Sequence, residues 1–296
     1  MQKSLSVLMT GATGFLGSQV ARRLLERGHH LVALCRRASI LRRLTQREIE
    51  KIHWLHIEEN GVRRAFETPI DVVIHTATNY GYRGSSINDI LEVNLLLPLQ
   101  ILDYAAQHGV SLFISTDTML TKFLNDYALT KSHLTDWGRR FADLGKIAFC
   151  NLRIEHMYGV GDNPERFTEY VIQACLKNVP HLDLTLGEQY RDFIHVSDVV
   201  EVYDRLLSVF YGAPPQFCEF EVGTGVATRV RDFVEMVHRL TESRTELRFG
   251  AVPYRLHEIM YACANIEPLK EFGWQPKVKL EDGLRQVIAA IRSRSD

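Results

Sequence analysis

Cysteine is scarce in this chain. Five residues (Cys35, Cys150, Cys175, Cys218 and Cys263) are scattered over 296 positions, odd in number and without C-x-x-C spacing. That pattern excludes a disulfide frame and a cysteine zinc site, and it predicts reduced thiols in a cytoplasmic protein. His29, His30, His53 and His56 form no metal-ligand grouping either, so no metal is expected. No stretch approaches the roughly 20 apolar residues of a membrane span. The early apolar run, Leu5–Met9, is too short for a secretion signal. Charge of one sign is also missing: 35 Lys+Arg stand against 36 Asp+Glu, which argues against a nucleic-acid surface. Repeats and low-complexity tracts are absent. What remains is a chain long enough to bury a large core and to form two lobes.

Apolar β-type runs alternate with segments of helical period. Strands are predicted at Leu5–Met9, Leu31–Leu34, Ile52–Ile57, Val72–His75, Leu112–Ser115 and Ala148–Arg153, with helices near Gln19–Arg27, Ile87–His108 and Asp126–Leu144. The alternation predicts an α/β fold, a doubly wound parallel sheet of Rossmann type with a smaller C-terminal substrate lobe. The division expected is 1–157 for the cofactor domain and 158–296 for the substrate domain. In the second part, helices are predicted at Thr168–Lys177 and Val230–Leu240, and a strand near 219–223 returns to the sheet. Such sheets bind ligands beyond the carboxyl ends of their strands, which directs attention to Thr10–Gly17, Cys35–Arg37, Thr76–Tyr80, Thr116–Thr118 and Glu155–Gly159.

The first of these segments is the most informative. Met9-Thr-Gly-Ala-Thr-Gly-Phe-Leu-Gly17 joins a strand to a helix, with glycines at 11, 14 and 17. Gly11 suits the tight turn, Gly14 the approach of backbone N–H groups to a pyrophosphate, and Gly17 the packing of helix on strand. The helix N-terminus adds partial positive charge for the phosphates. In an NAD site an acid about 20 residues further on holds the ribose 2′-hydroxyl. Here the second strand ends in Cys35-Arg36-Arg37, and no Asp or Glu occurs between Glu26 and Glu48. Two guanidiniums suit a 2′-phosphate, so NADP(H) is the cofactor predicted.

Tyr127-Ala-Leu-Thr-Lys131 sets a phenol and an ammonium four residues apart, on one helix face. The ammonium favours the phenolate and so tunes Tyr127 for proton exchange with a sugar oxygen. The preceding strand ends in Ser115-Thr116-Asp117-Thr118. Thr116 is the preferred hydroxyl partner for the substrate oxygen, with Ser115 and Thr118 as alternatives.

Together, the glycine turn, Thr116, Tyr127 and Lys131 resemble the extended short-chain dehydrogenase/reductases that act on nucleotide sugars. The resemblance runs nearly end to end, through His75-Thr-Ala77, Asn94, Leu152-Arg153, Tyr158-Gly159, Gly187-Glu-Gln-Tyr-Arg191-Asp192-Phe193, Asp198 and Gly273-Trp274-Gln275-Pro276. Within the family, Ala77-Thr-Asn-Tyr80-Gly81, Glu155-His156-Met-Tyr158-Gly159 and Glu258-Ile-Met-Tyr261-Ala-Cys263-Ala are most similar to the sugar 4-ketoreductase branch, the CDP-paratose and CDP-abequose synthases. The resemblance implies NADPH reduction of a CDP-linked 4-keto-deoxyhexose for bacterial O-antigen, in a homodimer joined through the helices near 87–108 and 126–144. Cofactor contacts would include Thr13, Phe15, Leu16, Thr76 and Ala77 beside the glycines, Tyr127 and Lys131. Substrate contacts would come from Asp117, His156, Arg191, Arg255, Tyr80 and Asn94. For Arg191 and Arg255 the alternative is a surface ion pair, and for Tyr80 simple packing.

Family members that eliminate water across C5–C6 carry an Asp-Glu pair after the threonine. The pair here is Asp117-Thr118, and one carboxylate serves poorly as both acid and base, so dehydration is not expected. A 4-epimerase retaining NAD is the alternative enzyme. Paratose and abequose products are both compatible with the sequence.

Overall fold

The computed structural model describes residues 3–82 and 84–295. β1 (Ser6–Thr10) leads into α1 (Phe15–Glu26), followed by β2 (His30–Cys35), α2 (Gln46–Glu50), β3 (Ile52–His56), α3 (Gly61–Ala65) and β4 (Val72–His75). Next come α4 (Ile87–Leu91), a π-helical turn at Glu92–Leu96, α5 (Leu97–Gln107), β5 (Leu112–Thr118), α6 (Asp126–Asp143) and β6 (Ala148–Ile154). The second half contains β7 (His156–Tyr158), α7 (Phe167–Leu176), β8 (His181–Leu184), β9 (Tyr190–His195), α8 (Val196–Phe210) and β10 (Phe217–Val222). It ends with β11 (Ala227–Arg229), α9 (Val230–Thr241), β12 (Glu246–Phe249), α10 (Glu267–Glu271) and α11 (Leu280–Ser295).

Seven strands form one sheet in the order β10-β6-β5-β4-β1-β2-β3. The pairs β1–β2, β1–β4, β2–β3 and β4–β5 are parallel. This is the doubly wound α/β sheet of Rossmann type. Strand order reverses between β1 and β4, where Thr10 lies opposite His75. A crevice at such a reversal is where these sheets receive their ligands.

The chain divides into two compact units, one running to Arg153 and including Val200–Phe220, the other made of Ile154–Val199 and the chain from Glu221. In the first, Leu8, Val73 and Phe113 pack with Ile101, Leu102, Phe141 and Phe149. The rings of Phe113 and Phe149 stack at 5.2 Å. A Cβ at Gly138 would lie 2.4 Å from the Phe149 ring, so glycine there lets α6 lie close on the sheet. In the second unit Phe193 stacks on Phe233 at 4.3 Å, within a core shared by Val171, Ile172, Val234 and Leu284. Its three-stranded sheet runs β11-β9-β7, with His156 in register with Phe193.

Two departures from the sequence reading have clear causes. The single helix expected at Ile87–His108 is interrupted by the π turn just before Pro98. Proline lacks an N–H and its ring crowds the carbonyl four residues back, which a wider turn relieves. The short α2 was not anticipated, although Thr45 and Glu48 form a capping box at its start. Among the described residues, no helix is long and apolar enough to cross a membrane, and no group of three or more His, Cys, Asp or Glu could hold a metal ion.

Candidate active site

The glycines of the first turn have separate tasks. Gly11 has φ +74°, and a Cβ there would lie 2.5 Å from the backbone nitrogen of Ala77. A Cβ at Gly17 would lie 2.0 Å from the Gly11 carbonyl oxygen. These two positions bring β1, α1 and the end of β4 together. Gly14 is different, since its Cβ would meet only the Gly11 oxygen, at 3.2 Å. Gly14 is also the N-cap of α1, with no side-chain cap and no acid in the first helical turn. Thr13, Phe15 and Leu16 flank this position. A helix start left uncapped by its own side chains, beside open space at a glycine, fits the pyrophosphate of a dinucleotide.

Thr76 and Ala77 tie the two central strands together. The Thr76 hydroxyl donates to the Thr10 carbonyl at 2.8 Å, and Ala77 N–H donates to Thr10 Oγ1 at 3.4 Å. His75 shares a 2.8 Å hydrogen bond with Thr10 Oγ1. Complete burial, reinforced by the Lys131 charge, lowers the His75 pKa well below the usual value and keeps the ring neutral.

At the tip of β2 the two arginines are not equivalent. Arg37 pairs with Glu59, and its backbone N–H points at the Glu58 carboxylate at 3.3 Å. Arg36 is exposed, and its guanidinium has no ion-pair partner among the described residues. Only Arg36 is therefore unengaged and available to an incoming phosphate.

β5 and α6 carry the hydroxyl, phenol and ammonium singled out in the sequence. Asn125 caps α6 by accepting from the Ala128 N–H at 2.9 Å, which fixes the turn holding Tyr127. Lys131, 1 % exposed, donates from Nζ to the Thr116 carbonyl at 2.9 Å. Burial pushes its pKa down to about 8, against the opposing pull of Asp117. Side chains alternate along β5. Thr116 places Oγ1 2.6 Å from the Tyr203 hydroxyl of α8. Ser115 is buried, and Thr118 Oγ1 accepts from the Leu120 N–H. The half-buried Tyr127 ring lies 5.0 Å from that of Tyr80, which stacks on Tyr82 at 5.9 Å.

Two residues expected at the substrate are engaged by the protein itself. Asp117 accepts from Thr135 Oγ1 at 3.0 Å, from Asn151 Nδ2 at 2.9 Å and from the Thr118 N–H at 2.7 Å. Alternation along the strand turns it toward α6, on the side opposite Thr116. Asn94 is wholly buried in the π turn. Its amide accepts from Asn79 N–H and donates to the Asn79 carbonyl, both at 2.8 Å, and reaches Thr130 Oγ1 at 3.2 Å. It holds the 79–82 loop against α6 and has no surface left for a ligand.

The second unit gathers charge around β7 and β9. His156 is exposed, with Nδ1 3.3 Å from the Glu155 carboxylate and its ring edge-on to Phe193. Glu155 is buried and its Oε1 has no hydrogen-bond partner among the described residues. Arg191 is buried, donates to the Tyr190 carbonyl at 2.7 Å and pairs with Glu258. Burial lowers its pKa, with Glu258 and Glu155 opposing. Arg255 is exposed nearby in sequence to Glu258. Asp192 is fully buried and accepts from Thr224 N–H, Thr224 Oγ1 and Gly225 N–H at 2.6–2.9 Å, so it organises the 223–225 turn.

Tyr203 escaped the sequence reading of the site. Nothing local marks Tyr203, an aromatic in an apolar helix. The charged strings 155–156 and 191–192 were visible, but only β7–β9 pairing shows them as neighbours.

A sequence profile of the NAD dependent epimerase/dehydratase family matches residues 7–217. The chain is 31% identical to a CDP-abequose synthase of Salmonella typhimurium, over 96% of this chain and 98% of that protein. It is 32% identical to a CDP-abequose synthase of Salmonella muenchen, over 96% and 97%. Among solved structures, MoeE5 in complex with UDP-glucose and NAD superposes with a TM-score of 0.84 at 25% identity, covering 98% of this chain and 100% of that one. A UDP-glucose 4-epimerase of Thermotoga maritima shares the fold with a TM-score of 0.83 at 22% identity, covering 99% and 100%.

Proposed function

Since the chain belongs to the NAD dependent epimerase/dehydratase family of enzymes, we propose that it reduces the C4 ketone of a CDP-linked 4-keto-deoxyhexose with NADPH. The product would be of the CDP-abequose or CDP-paratose type, used for O-antigen. The observation that carries the reading is the end of β5, where the Tyr127 and Lys131 helix meets Thr116 through the Lys131 Nζ bond to its carbonyl. The relatives named as CDP-abequose synthases supply the substrate class.

When bound, the reduced nicotinamide supplies the hydride to C4. Tyr127 then gives its phenolic proton to the C4 oxygen as negative charge develops there. The Thr116 hydroxyl donates to the same oxygen. Lys131 steadies the phenolate that Tyr127 becomes, and would also hold the nicotinamide ribose. Gly14 and the start of α1 would take the pyrophosphate. Arg191, Arg255 and His156 are proposed for the anionic and sugar portions of the substrate, and Tyr80 for the sugar pocket.

The test is NADPH consumption against a panel of CDP- and dTDP-4-keto-sugars, with NMR of the product. Turnover confined to CDP-4-keto-deoxyhexoses is expected. Absence of net reduction, together with NAD released on denaturing the purified protein, would instead identify a 4-epimerase.

Cofactor choice should rest on Arg36. Arg36→Ala removes a guanidinium with no competing partner, and a lost charge-assisted bond costs about 1.5–3 kcal/mol. The KM for NADPH should therefore rise roughly tenfold or more while that for NADH stays put. Arg37→Ala should do less, because Glu59 already holds that side chain. Equal effects on both cofactors would remove the 2′-phosphate argument.

The protein is proposed to be a homodimer. Ile87 and Leu96 stand exposed on the 87–107 helical segment, and Trp137 stands exposed on α6 with Leu144 just past its end. Exposed apolar residues of this size on adjacent helices suit a self-complementary contact. Light scattering at micromolar concentration should give twice the chain mass, and a monomer would end the proposal.

A further inference from the structure

Tyr203 is among the largest fully buried side chains, 1 % exposed, yet its hydroxyl meets Thr116 Oγ1 at 2.6 Å. The helix that carries it is held firmly. Asp204, the next residue, pairs with Arg23 of α1 at 3.3 Å and with Arg27, which caps the end of that helix, at 2.6 Å. Leu206, Leu207 and Phe210 bury the same stretch of α8. The phenol therefore has little freedom to move away from Thr116.

A threonine hydroxyl has one proton and two acceptor sites. If Thr116 donated to Tyr203, nothing would remain to donate to a substrate oxygen. If Tyr203 donates, the Thr116 proton is free to point elsewhere. Burial holds the Tyr203 phenol well above its usual pKa, with Tyr80 adding to the effect and the Thr116 bond working against it. A phenol that stays protonated remains a donor.

We infer that Tyr203 is a positioning residue: it donates to Thr116 Oγ1, fixes the rotamer of that side chain and leaves the Thr116 proton for the C4 oxygen of the substrate. The inference deepens the proposed ketoreductase reading and rests on it for the identity of the acceptor. No bond is broken and no group is transferred at Tyr203. Its effect passes entirely through Thr116.

The experiment compares wild type, Tyr203→Phe, Thr116→Val and the double variant. Tyr203→Phe keeps the ring and its packing, so the thermal midpoint should barely change. Its kcat should fall about fivefold to tenfold, as expected for one neutral hydrogen bond, with the KM for NADPH unchanged. On the Thr116→Val background the same change should have no further effect. NMR couplings of the Thr116 γ-methyl should report one rotamer in wild type and averaging in Tyr203→Phe. A Tyr203→Phe enzyme with wild-type kcat and a retained rotamer overturns the inference, as does an equal loss on both backgrounds. If wild type reduces no CDP-4-keto-sugar, the proposed function fails on its own. The methyl couplings then decide Tyr203 alone: averaging upholds the positioning role and a retained rotamer overturns it.

Discussion

Tyr127→Phe should lower kcat for ketone reduction by about 10²–10⁴-fold, the usual contribution of a positioned general acid. The substitution keeps the ring, and with it the 5.0 Å contact to Tyr80 and the packing at the start of α6. What is lost is the proton that neutralises the developing C4 alkoxide. NADPH binding should change little, because the glycine turn and the β2 tip are untouched, and fluorescence titration of the cofactor checks this. Thr116→Ala should do less damage, since it removes one hydrogen bond and leaves the acid in place. Asp117 would be the first substitute donor to suspect, but its oxygens already accept from Thr135, Asn151 and Thr118. Near-normal turnover by Tyr127→Phe would therefore dismiss the mechanism, not shift it to Asp117.

Much of the fold was legible because its signals are local. Gly11 and Gly17 stand where any Cβ would strike backbone, and with Gly14 between them the glycines recur every three residues, which betrays the strand–turn–helix junction directly. Apolar strands alternating with helical periods announce a doubly wound sheet. Tyr127 and Lys131 are joined by helix geometry, which sequence spacing encodes. Other features depend on what lies across the fold. Whether Arg36 or Arg37 is free depends on Glu59, 22 residues beyond Arg37, and on the path of β3. The structural role of Asn94 was hidden because its partners, Asn79 and Thr130, become its neighbours only through the π turn that Pro98 provokes. The partners of Asp117 were hidden because a strand aims adjacent side chains in opposite directions, and the sequence does not reveal which face looks toward α6. α8 itself went unnoticed, and with it Tyr203.

Lys131→Met should make the protein more stable at neutral pH while crippling the reaction. Burial lowers the Lys131 pKa from 10.5 to about 8, so folding makes its charged form less favourable. A shift of that size corresponds to roughly 3 kcal/mol of penalty at pH 7. The sign follows from proton counting. Between pH 8 and 10.5 the unfolded chain binds more protons than the folded one, so wild-type stability rises with pH across that window. Below pH 8 the penalty is present in full. Methionine has similar length and no charge, and thus removes the penalty. It also leaves the Thr116 carbonyl without its donor, at a cost of about 1–3 kcal/mol. The balance should be a gain of about 1 kcal/mol in urea unfolding at pH 7, converting to a loss as the pH passes 10. Activity should move the other way. With no ammonium behind Tyr127 the phenolate is harder to form, so kcat falls, and loss of the ribose contact raises the KM for NADPH. A Lys131→Met protein that is less stable than wild type at pH 7 yet retains turnover would show that the lysine is a structural strut, with no part in tuning the tyrosine.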